Sequence, residues 1–310
     1  GIYDPTCGSA GLLIKCELRL EAKMKAAGKK TYAPLKLYGQ EYTASTWAMA
    51  NMNMIIHDME GKIEIGDTLR NPKLREKGKL KTFDRVVANP MWNQTGFDEK
   101  VYETDELERF PKGAGFPGGK ADWGWMQHIL ASLNDKGRAA VVLDTGAASR
   151  GSGNANTNKE KDVRRWFVEQ DLIEGVLYLP ENLFYNTTAP GIVIVLNKAK
   201  PKERQGKLFL LNVSREFVKG DPKNYIPEDA IARIAHTFTA WNEVEKYSRI
   251  VSREEIAEKD FNISPSRYIH TDEGDENRSI TEIIEELDAL EDEAQETSLS
   301  LRAILSKLMI

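Results

Sequence analysis

The chain has 310 residues, of which 41% are hydrophobic and 29% are charged, and a chain of this length has room for one large domain and an appendage. It contains no run of about 18 apolar residues that would cross a membrane, and it does not begin with a basic segment followed by an apolar one, so we expect a cytoplasmic protein. Its two cysteines, Cys7 and Cys16, exclude a disulfide framework and a structural zinc site, and we expect no metal site.

Acidic residues are concentrated near the C-terminus. The stretch from Asp272 to Glu296 has twelve Asp or Glu residues and one Arg, whereas the whole chain has a net charge of −5. The remaining residues therefore carry a net charge of +6. A mildly basic body is compatible with a DNA-binding surface, although a solvated acidic helix beside an ordinary domain would have the same composition.

Short apolar runs alternate with segments of helical periodicity over most of the chain. This pattern predicts an α/β fold with a doubly wound, mostly parallel sheet and helices on both faces. The first strand is short because the chain begins at Ile2 and Tyr3, and we expect such a fold to have residues in front of that point. The later strands are predicted at Leu35 to Gln40, Lys62 to Ile65, Phe83 to Ala88, Arg138 to Leu143, Gly175 to Leu179 and Ile192 to Leu196. The helices are predicted at Leu12 to Ala27, Ala44 to Met59, Ala121 to Leu133 and Lys161 to Glu169.

The pattern changes after the last of these strands. LFLLNVS predicts one more strand, PEDAIARIAHTFTAW predicts one more amphipathic helix, and FNISPSRY is predicted to be a loop. Ser279 and Glu282 then have the spacing of a capping box, before a long segment with one apolar stripe. We therefore predict a main domain (1–200) whose N-terminal part is missing, an extension of that domain (201–276), and a C-terminal amphipathic helix (277–310). The stripe of this helix would pack either on its own domain or on another subunit.

The segment Asp4-Pro5-Thr6-Cys7-Gly8-Ser9-Ala10-Gly11 lies between the first strand and the first helix. Ligands of a doubly wound sheet bind at this carboxyl edge. The small residues allow the backbone to approach a ligand closely, and the start of the following helix offers free N–H groups. A phosphate-binding Gly-Lys-Ser/Thr sequence and a dinucleotide-binding G-x-G-x-x-G pattern are both absent. The acidic side chain of Asp4 instead favours a cationic or amino-bearing ligand.

Carboxylates also follow the next two strands. Glu41 follows KLYGQ, and Asp67 follows IEIG. A carboxylate at the second strand end is the expected partner of a ribose diol, and one at the third strand end would accept the exocyclic amine of adenine. Each carboxylate alone is explained as a cap or a turn residue. Together, the three favour a ligand that combines an amino acid part, a ribose and an adenine.

The fourth strand ends in Asn89-Pro90-Met91-Trp92. The Asn89 amide oxygen and a backbone carbonyl released from the sheet by Pro90 are two neighbouring acceptors, and Trp92 provides a flat ring. This combination suits a planar amine such as N6 of adenine, although the tetrapeptide alone would equally be a capped loop with a core tryptophan. Hydrogen bonds from the amine to both acceptors would favour a pyramidal, nucleophilic nitrogen aligned with an electrophilic methyl group. In duplex DNA, the base would first have to rotate out of the stack.

In this order the motifs resemble those of a known family, the modification (M) subunits of type I restriction-modification systems. YDPTCGSAGLL is similar to the family's cofactor motif, GQE and GDTL to its next two cofactor motifs, and VVANPMW to its catalytic Asn-Pro-Pro-aromatic motif. The likeness continues through ADWGWMQHIL, GRAAVVLDTGAASRG, LPENLFYNTTAPGIVIVLNK, SREFVKG and FNISPSRY, and it covers most of residues 1 to 270. These M subunits are S-adenosylmethionine-dependent N6-adenine DNA methyltransferases.

The resemblance implies a sheet of the S-adenosylmethionine-dependent methyltransferase type, with an antiparallel last strand and a C-terminal helical extension. It implies catalytic roles for Asn89, Pro90 and Trp92 at the target base. It implies that S-adenosylmethionine is bound by Asp4, Thr6, Cys7, Gly8, Glu41 and Asp67. Asp122 lies in a matching stretch but receives no role. Met91 replaces the usual second proline of the family, which would loosen the geometry of the backbone carbonyl.

The resemblance also implies partners. In the family a separate specificity (S) subunit reads the DNA, two M subunits join it, and restriction (R) subunits can join as well. By analogy, we expect the helix 277–310 to contact another subunit. The family carries a helical domain and a further cofactor motif upstream of the position of Ile2, so we expect weak cofactor binding by this chain. Four basic residues of SRGSGNANTNKEKDVRRW would meet phosphates, unless the loop is merely solvated: Lys159, Lys161, Arg164 and Arg165.

Several alternatives remain beside this interpretation. A cytosine-C5 methyltransferase would need a nucleophilic cysteine beside the proline, and Met91 takes that place. Cytosine-N4 methylation stays open, because it also targets an exocyclic amine. Protein-glutamine methyltransferases share the Asn-Pro-Pro-aromatic motif, but SREFVKG and FNISPSRY favour the M subunits. The last alternative is an inactive scaffold that binds DNA or a partner, and Met91 is the residue that favours it.

Overall fold

Nine strands form one mixed sheet and two more form a small hairpin in the computed structural model of the chain, which describes residues 1–154 and 156–271. The strands are β1 (Ile2–Asp4), β2 (Leu37–Glu41), β3 (Gly61–Ile65), β4 (Arg75–Glu76), β5 (Lys79–Leu80), β6 (Phe83–Ala88), β7 (Leu133–Asp144), β8 (Ile173–Tyr178), β9 (Gly191–Asn197), β10 (Lys207–Asn212) and β11 (Ser248–Ser252). The α-helices are α1 (Gly11–Ala26), α2 (Ala44–Ile56), α3 (Glu99–Glu103), α4 (Asp122–Ala131), α5 (Lys159–Glu169), α6 (Glu228–Ala240) and α7 (Arg253–Glu258). The predicted C-terminal helix, 277–310, lies outside the described residues.

The sheet has the strand order β11-β10-β8-β9-β7-β6-β1-β2-β3. β9 is antiparallel to both β7 and β8, and β11 is antiparallel to β10. The other seven strands run in one direction. This arrangement confirms the predicted doubly wound, mostly parallel sheet. The predicted antiparallel strand is β9. The strand order reverses between β1 and β6, and the crevice outside the carboxyl ends at such a reversal is where ligands bind in this class of fold.

The predicted elements match the observed ones closely along the main sheet. β6 has the predicted bounds, Phe83–Ala88. β7 begins at Leu133, five residues before the predicted start at Arg138. α4 correspondingly ends at Ala131, before the predicted end at Leu133. The predictions from LFLLNVS and PEDAIARIAHTFTAW correspond to β10 and α6.

Among the described residues, the sequence analysis missed several short features, including the β4–β5 hairpin, α3, β11 and α7. The two hairpin strands have two residues each, which is too short for a periodic pattern. For α7 the sequence did carry a signal. In the structure, the Ser252 side chain accepts a hydrogen bond from the backbone N–H of Glu255 at 3.2 Å. This is one half of a capping box, and the spacing of these two residues is visible in the sequence.

Apolar side chains cover both halves of the sheet. One cluster packs α1 and α2 on β1 to β3 and includes Leu13, Met54 and Ile63. The larger cluster packs α4 and α5 on β6 to β9, with Trp123 and Phe167 fully buried. Burying a side chain such as that of Phe167 contributes about 2 to 3 kcal/mol relative to its exposure. Within residues 1–154 and 156–271, no helix combines the length and the apolar character that crossing a bilayer requires.

Candidate functional site

The first candidate segment, Asp4 to Gly11, is called the acidic turn, and its carboxyl group is buried. Only 1% of Asp4 is exposed, and its Oδ1 accepts a hydrogen bond from the backbone N–H of Thr6 at 3.0 Å. Burial raises the pKa of Asp4 to about 7; the hydrogen bonds from Thr6 oppose this rise and the charge of Glu41 adds to it. A buried carboxyl group with this pKa is stabilised in its ionised form by an adjacent cation.

The backbone of the acidic turn leaves space in front of α1. Gly8 and Ala10 both have positive φ angles, of 53° and 66°, and a Cβ atom on Gly8 would meet nothing within 4 Å. α1 begins directly after Ala10, and no side chain caps its N-terminus. Uncapped N–H groups at a helix start attract oxygen atoms of a ligand.

Cys7 fixes the acidic turn to the neighbouring strand. Its backbone N–H donates to the carbonyl oxygen of Gln40 at 3.1 Å, and its side chain is 5% exposed. The fit is close, because a Cβ atom on Gly39 would come within 2.8 Å of Cys7 Sγ. Burial raises the pKa of the Cys7 thiol, so this cysteine packs as a neutral side chain.

Glu41, the last residue of β2, attaches that strand end to the acidic turn. Its Oε2 accepts the backbone N–H of Gly8 at 3.0 Å, and its Oε1 accepts the backbone N–H of Thr43 at 3.0 Å. Each carboxylate oxygen can accept a further hydrogen bond. Asp4, Cys7, Gly8 and Glu41 therefore lie together at one place.

Asp67 has a partner that the sequence did not indicate. Its Oδ1 accepts the backbone N–H of Arg70 at 3.0 Å, and its Oδ2 accepts Nη1 of the same arginine at 2.8 Å. Nη2 of Arg70 donates to the carbonyl oxygen of Gly96 at 2.6 Å. The neighbouring Thr68 hydroxyl donates to the carbonyl oxygen of Pro5 at 2.7 Å, so the turn after β3 is attached to the acidic turn.

The second candidate segment, Asn89 to Trp92, is called the amide turn and follows β6. Asn89 is exposed, Pro90 is buried, and Met91 is 70% exposed. The indole Nε1 of Trp92 donates to Oδ1 of Asn89 at 3.2 Å. The amide oxygen expected to receive a base therefore has an intramolecular donor in this structure.

Phe184 completes the aromatic wall beside the amide turn, and sequence reasoning did not single it out. Its ring packs edge-on against Trp92, with ring centroids 4.8 Å apart and an angle of 72° between the planes. Gly191, at the start of β9, permits this contact, because a Cβ atom there would lie 2.9 Å from the Trp92 ring. In the sequence, LPENLFYNTTAPG contributes only to the family resemblance. Its aromatic residues are the signal that could have pointed to this contact.

The acidic turn and the amide turn lie at the same edge of the sheet. Asp4 ends β1, Asn89 follows β6, and β1 and β6 are parallel neighbours with Tyr3 opposite Val86. Neighbouring strands are about 4.8 Å apart. The two turns therefore flank the point where the strand order reverses.

One prediction about basic residues was wrong. Arg164 has no exposed surface, and its guanidinium donates to the carbonyl oxygens of Phe261 at 2.7 Å and Ala147 at 3.1 Å. It is therefore a structural residue that cannot meet a phosphate. Lys161 is paired with Asp260 at 2.9 Å and is only 13% exposed at its side chain. Of the four proposed residues, Lys159 and Arg165 have side chains that are about half exposed, at 57% and 48%.

Comparisons with known proteins identify the family of the chain. A family model described as N-6 DNA methylase matches residues 1–277. The chain is 39% identical over 304 residues to the type I restriction enzyme MjaVIII methylase subunit of Methanocaldococcus jannaschii. The aligned region covers 94% of this chain and 50% of that protein. It is 29% identical to the HindI methylase subunit of Haemophilus influenzae, over 99% of this chain and 67% of that protein.

Solved structures of related proteins share the fold of this chain. The type I restriction-modification methyltransferase subunit of Streptococcus thermophilus superimposes with a TM-score of 0.73 at 30% identity, over 87% of this chain and 54% of that one. A protein described as a modification subunit of a putative type I restriction enzyme from Vibrio vulnificus, at 16% identity and a TM-score of 0.62 over 87% of this chain and 56% of that one, shares the fold. The chain spans about half the length of the first curated relatives that it matches.

Proposed function

Because the chain belongs to the N-6 DNA methylase family, we propose that it transfers a methyl group from S-adenosylmethionine to N6 of an adenine in DNA, as the modification subunit of a type I restriction-modification complex. The observation that carries the proposal is the position of the exposed Asn89 amide at the end of β6, on the strand next to the buried Asp4 carboxyl. One turn then binds the methyl donor and the other binds the methyl acceptor.

In this proposal, residues of the acidic turn bind S-adenosylmethionine together with Glu41 and Asp67. Asp4, Thr6, Cys7 and Gly8 would bind the amino acid part, Glu41 the ribose, and Asp67 the adenine. Two features support this assignment: the open space in front of Gly8 and the buried Asp4 carboxyl, which a positive charge would ionise. When bound, the cofactor supplies an electrophilic methyl group.

The amide turn has the acceptors that the target amine requires. Oδ1 of Asn89 and the backbone carbonyl of Pro90 accept the two N6 hydrogens, and the base stacks on Trp92. The indole N–H that now donates to Asn89 at 3.2 Å is exchanged for a hydrogen of the base. These hydrogen bonds keep the lone pair of N6 available for attack, and the surplus proton then leaves to solvent.

The base reaches this site only after it leaves the DNA stack. Lys159 and Arg165, which project from α5 and keep exposed side chains, contact DNA phosphates in this proposal. A specificity subunit selects the sequence, a second copy of this chain acts on the other half-site, and a restriction subunit joins the same complex. Residues 277–310 would make the contact with another subunit. We expect a protein with these partners to act in the cytoplasm.

Nucleoside analysis tests the proposed function. DNA from cells that produce the protein together with the products of the neighbouring open reading frames should contain N6-methyladenine, and Asn89→Ala should remove it. The same variant should bind S-adenosylmethionine about as tightly as the wild type, because Asn89 belongs to the amide turn. Asp4→Ala should show the reverse pattern, with cofactor binding lost first.

The remaining alternatives give different products. N4-methylcytosine in the DNA would indicate a different target base, and methylated glutamine in protein would indicate a different substrate class. Assembly with partners but no methylated product of either kind would support a scaffold. Each of these results would contradict the proposed adenine methylation.

A further inference from the structure

A cluster of charged side chains lies beside the residue that follows the amide turn. Its central residue is Arg150, whose Nε donates to Glu160 Oε2 at 2.7 Å and whose Nη1 donates to Asp144 Oδ2 at 2.9 Å. Nη2 donates to Glu160 Oε1 at 2.9 Å and to Asp122 Oδ2. Nη1 also donates to Asn93 Oδ1 at 3.0 Å. We call these five residues the Arg150 cluster.

The Arg150 cluster joins several elements that are distant in sequence. Asp122 begins α4, Asp144 ends β7, and Glu160 lies in the first turn of α5. The side chains are largely buried, with exposures of 0% for Asp122, 9% for Glu160 and 19% for Arg150. Burial disfavours the charge of Arg150, but its hydrogen bonds to Glu160 and Asp122 outweigh this and raise its pKa. The guanidinium therefore stays charged.

Such a cluster is a poor means of stabilising a fold. Burying ions costs several kcal/mol for each ion, and apolar side chains of similar volume often stabilise a protein as well or better. Three carboxylates around one guanidinium also repel one another. What the arrangement does provide is direction, since five N–H donors in a fixed plane define where every partner must lie.

One partner in the cluster, Asn93, is directly attached to the amide turn. Its backbone has a φ angle of 55°, a left-handed conformation that asparagine tolerates better than most residues. Its backbone N–H donates to Asp122 Oδ1 at 3.0 Å. Its side-chain oxygen accepts both Arg150 Nη1 and Lys120 Nζ, the latter at 2.8 Å. Asn93 is thus held through its backbone and its side chain at once.

The amide turn is therefore fixed at both of its ends. Its first residue follows Ala88, which is fully buried in the sheet. Its last residue, Trp92, precedes Asn93 and contacts Phe184. Between Ala88 and Asn93 lie only four residues, of which Asn89 and Met91 are exposed. A shift of Asn93 would be transmitted to Asn89 over this short distance.

We propose that Arg150 is a positioning residue for methyl transfer: it holds Asn93, and through Asn93 it keeps the amide turn in the conformation that offers the Asn89 oxygen to the target base. Arg150 does not itself touch substrate or cofactor. The proposal deepens the proposed function and rests on it for its catalytic part. It also gives a role to Asp122, which orients the guanidinium and binds the Asn93 N–H.

Hydrogen exchange measured by mass spectrometry tests the restraint without relying on activity. In Arg150→Gln, the amides of residues 89–98 should exchange about tenfold faster than in the wild type, because local opening becomes easier. Lys200→Gln is the matched control. Lys200 is also a buried cation, paired with Asp171 at 2.6 Å, but its other bonds are to Ile173 and Lys207 at the opposite ends of the strands. It should lower the overall stability and leave exchange in 89–98 unchanged relative to the rest of the chain.

A second variant keeps the test decisive if Arg150→Gln does not fold. Asn93→Gly retains the positive φ angle and the backbone N–H but removes the oxygen that Arg150 and Lys120 bind. It leaves all three carboxylates paired with Arg150. Exchange in 89–98 should rise in this variant too. Unchanged exchange in both variants, or in Asn93→Gly alone if the other is unfolded, would overturn the proposal.

Kinetics of the assembled complex test the catalytic consequence. For Arg150→Gln, kcat for methyl transfer should fall about 100-fold, the effect of misplacing a reacting group by about 1 Å. The Kd for S-adenosylmethionine should stay within about twofold of the wild type, because the acidic turn is not held by the cluster. Arg150→Lys should recover part of kcat, since it restores the charge without the planar fork. An equal loss in Arg150→Lys and Arg150→Gln, together with loss of cofactor binding, would indicate general damage and contradict positioning.

The two proposals fail in different ways. If the wild-type complex methylates no adenine but exchange in 89–98 responds to Arg150→Gln, the proposed function is wrong and the restraint stands. If the wild type methylates adenine and neither exchange nor kcat responds, the function stands and the positioning role is wrong.

Discussion

At the scale of single residues, the fold changes the pKa of the Asp4 carboxyl. Burial raises its pKa to about 7 from an ordinary value of 3.8. Between these two values the folded protein holds a proton that the unfolded chain releases. The stability that this proton contributes is fully present below pH 4 and is lost as the pH rises through 7.

This shift predicts a pH dependence that belongs to Asp4. Without ligand, the free energy of unfolding should fall between pH 4 and pH 8 by about 4 kcal/mol, the equivalent of the pKa difference. Asp4→Asn should lack this decrease, because its neutral side chain resembles the protonated form. Urea denaturation at several pH values measures both. Asp135→Asn, at an exposed position near the start of β7, serves as the control, and an identical pH profile for wild type and Asp4→Asn would contradict the prediction.

At the scale of elements, α5 attaches the C-terminal extension to the loop after β7. Arg164 of this helix donates to the carbonyl oxygens of Phe261 at 2.7 Å and Arg150 at 2.9 Å, and to the Ser152 hydroxyl at 2.8 Å. The sequence FNISPSRY begins at Phe261. Through Arg164, the segment that carries this motif is therefore linked to the backbone of Arg150.

Loss of this attachment should be measurable as a loss of stability. Arg164→Met should lower the free energy of unfolding by about 3 kcal/mol, because several buried acceptors lose their donor. Arg165→Met changes the next residue, whose side chain is 48% exposed, and should cost less than about 0.5 kcal/mol. Chemical denaturation of both variants provides the comparison. Equal effects of the two substitutions would show that Arg164 does not serve as the attachment.

The elements also show what the sequence could and could not predict. β6 was predicted to the residue because an apolar run ends abruptly at Asn89 and Pro90, and proline cannot continue a sheet ladder. Asp4, Glu41 and Asn89 were identified because each stands at a strand end, a position that periodicity reveals. Contacts such as Trp92 with Phe184, or Arg150 with Asp122, join residues far apart in sequence. No local pattern encodes them, since they depend on the order of strands in the sheet.

At the scale of the whole molecule, residues 201–270 continue the same sheet and the same core. β10 pairs with β8 in parallel, and its Leu208 and Leu210 are fully buried in the cluster that contains Ile194. Gly1 to His270 accordingly form one unit. The predicted extension after residue 200 therefore supplies part of the core of the main domain.

A fragment that ends at residue 200 should consequently fail to fold. It would leave the edge of β8 unpaired and expose the apolar surface that β10 covers, both of which promote aggregation. We expect the fragment 1–200 to be found in inclusion bodies and the full chain to be found in the soluble fraction under the same conditions. A monomeric, cooperatively unfolding 1–200 fragment in size-exclusion chromatography and thermal denaturation would contradict this expectation.

The place of β9 has a consequence for synthesis of the chain. This strand lies between β7 and β8 although both precede it in sequence. While the ribosome is still making residues before Gly191, β7 and β8 have no strand to join them, and their hydrogen-bonding edges stay open. Sheets that depend on such distant pairings assemble slowly and are prone to aggregate while incomplete. The nascent chain is therefore a candidate client of chaperones until the centre of its sheet has emerged.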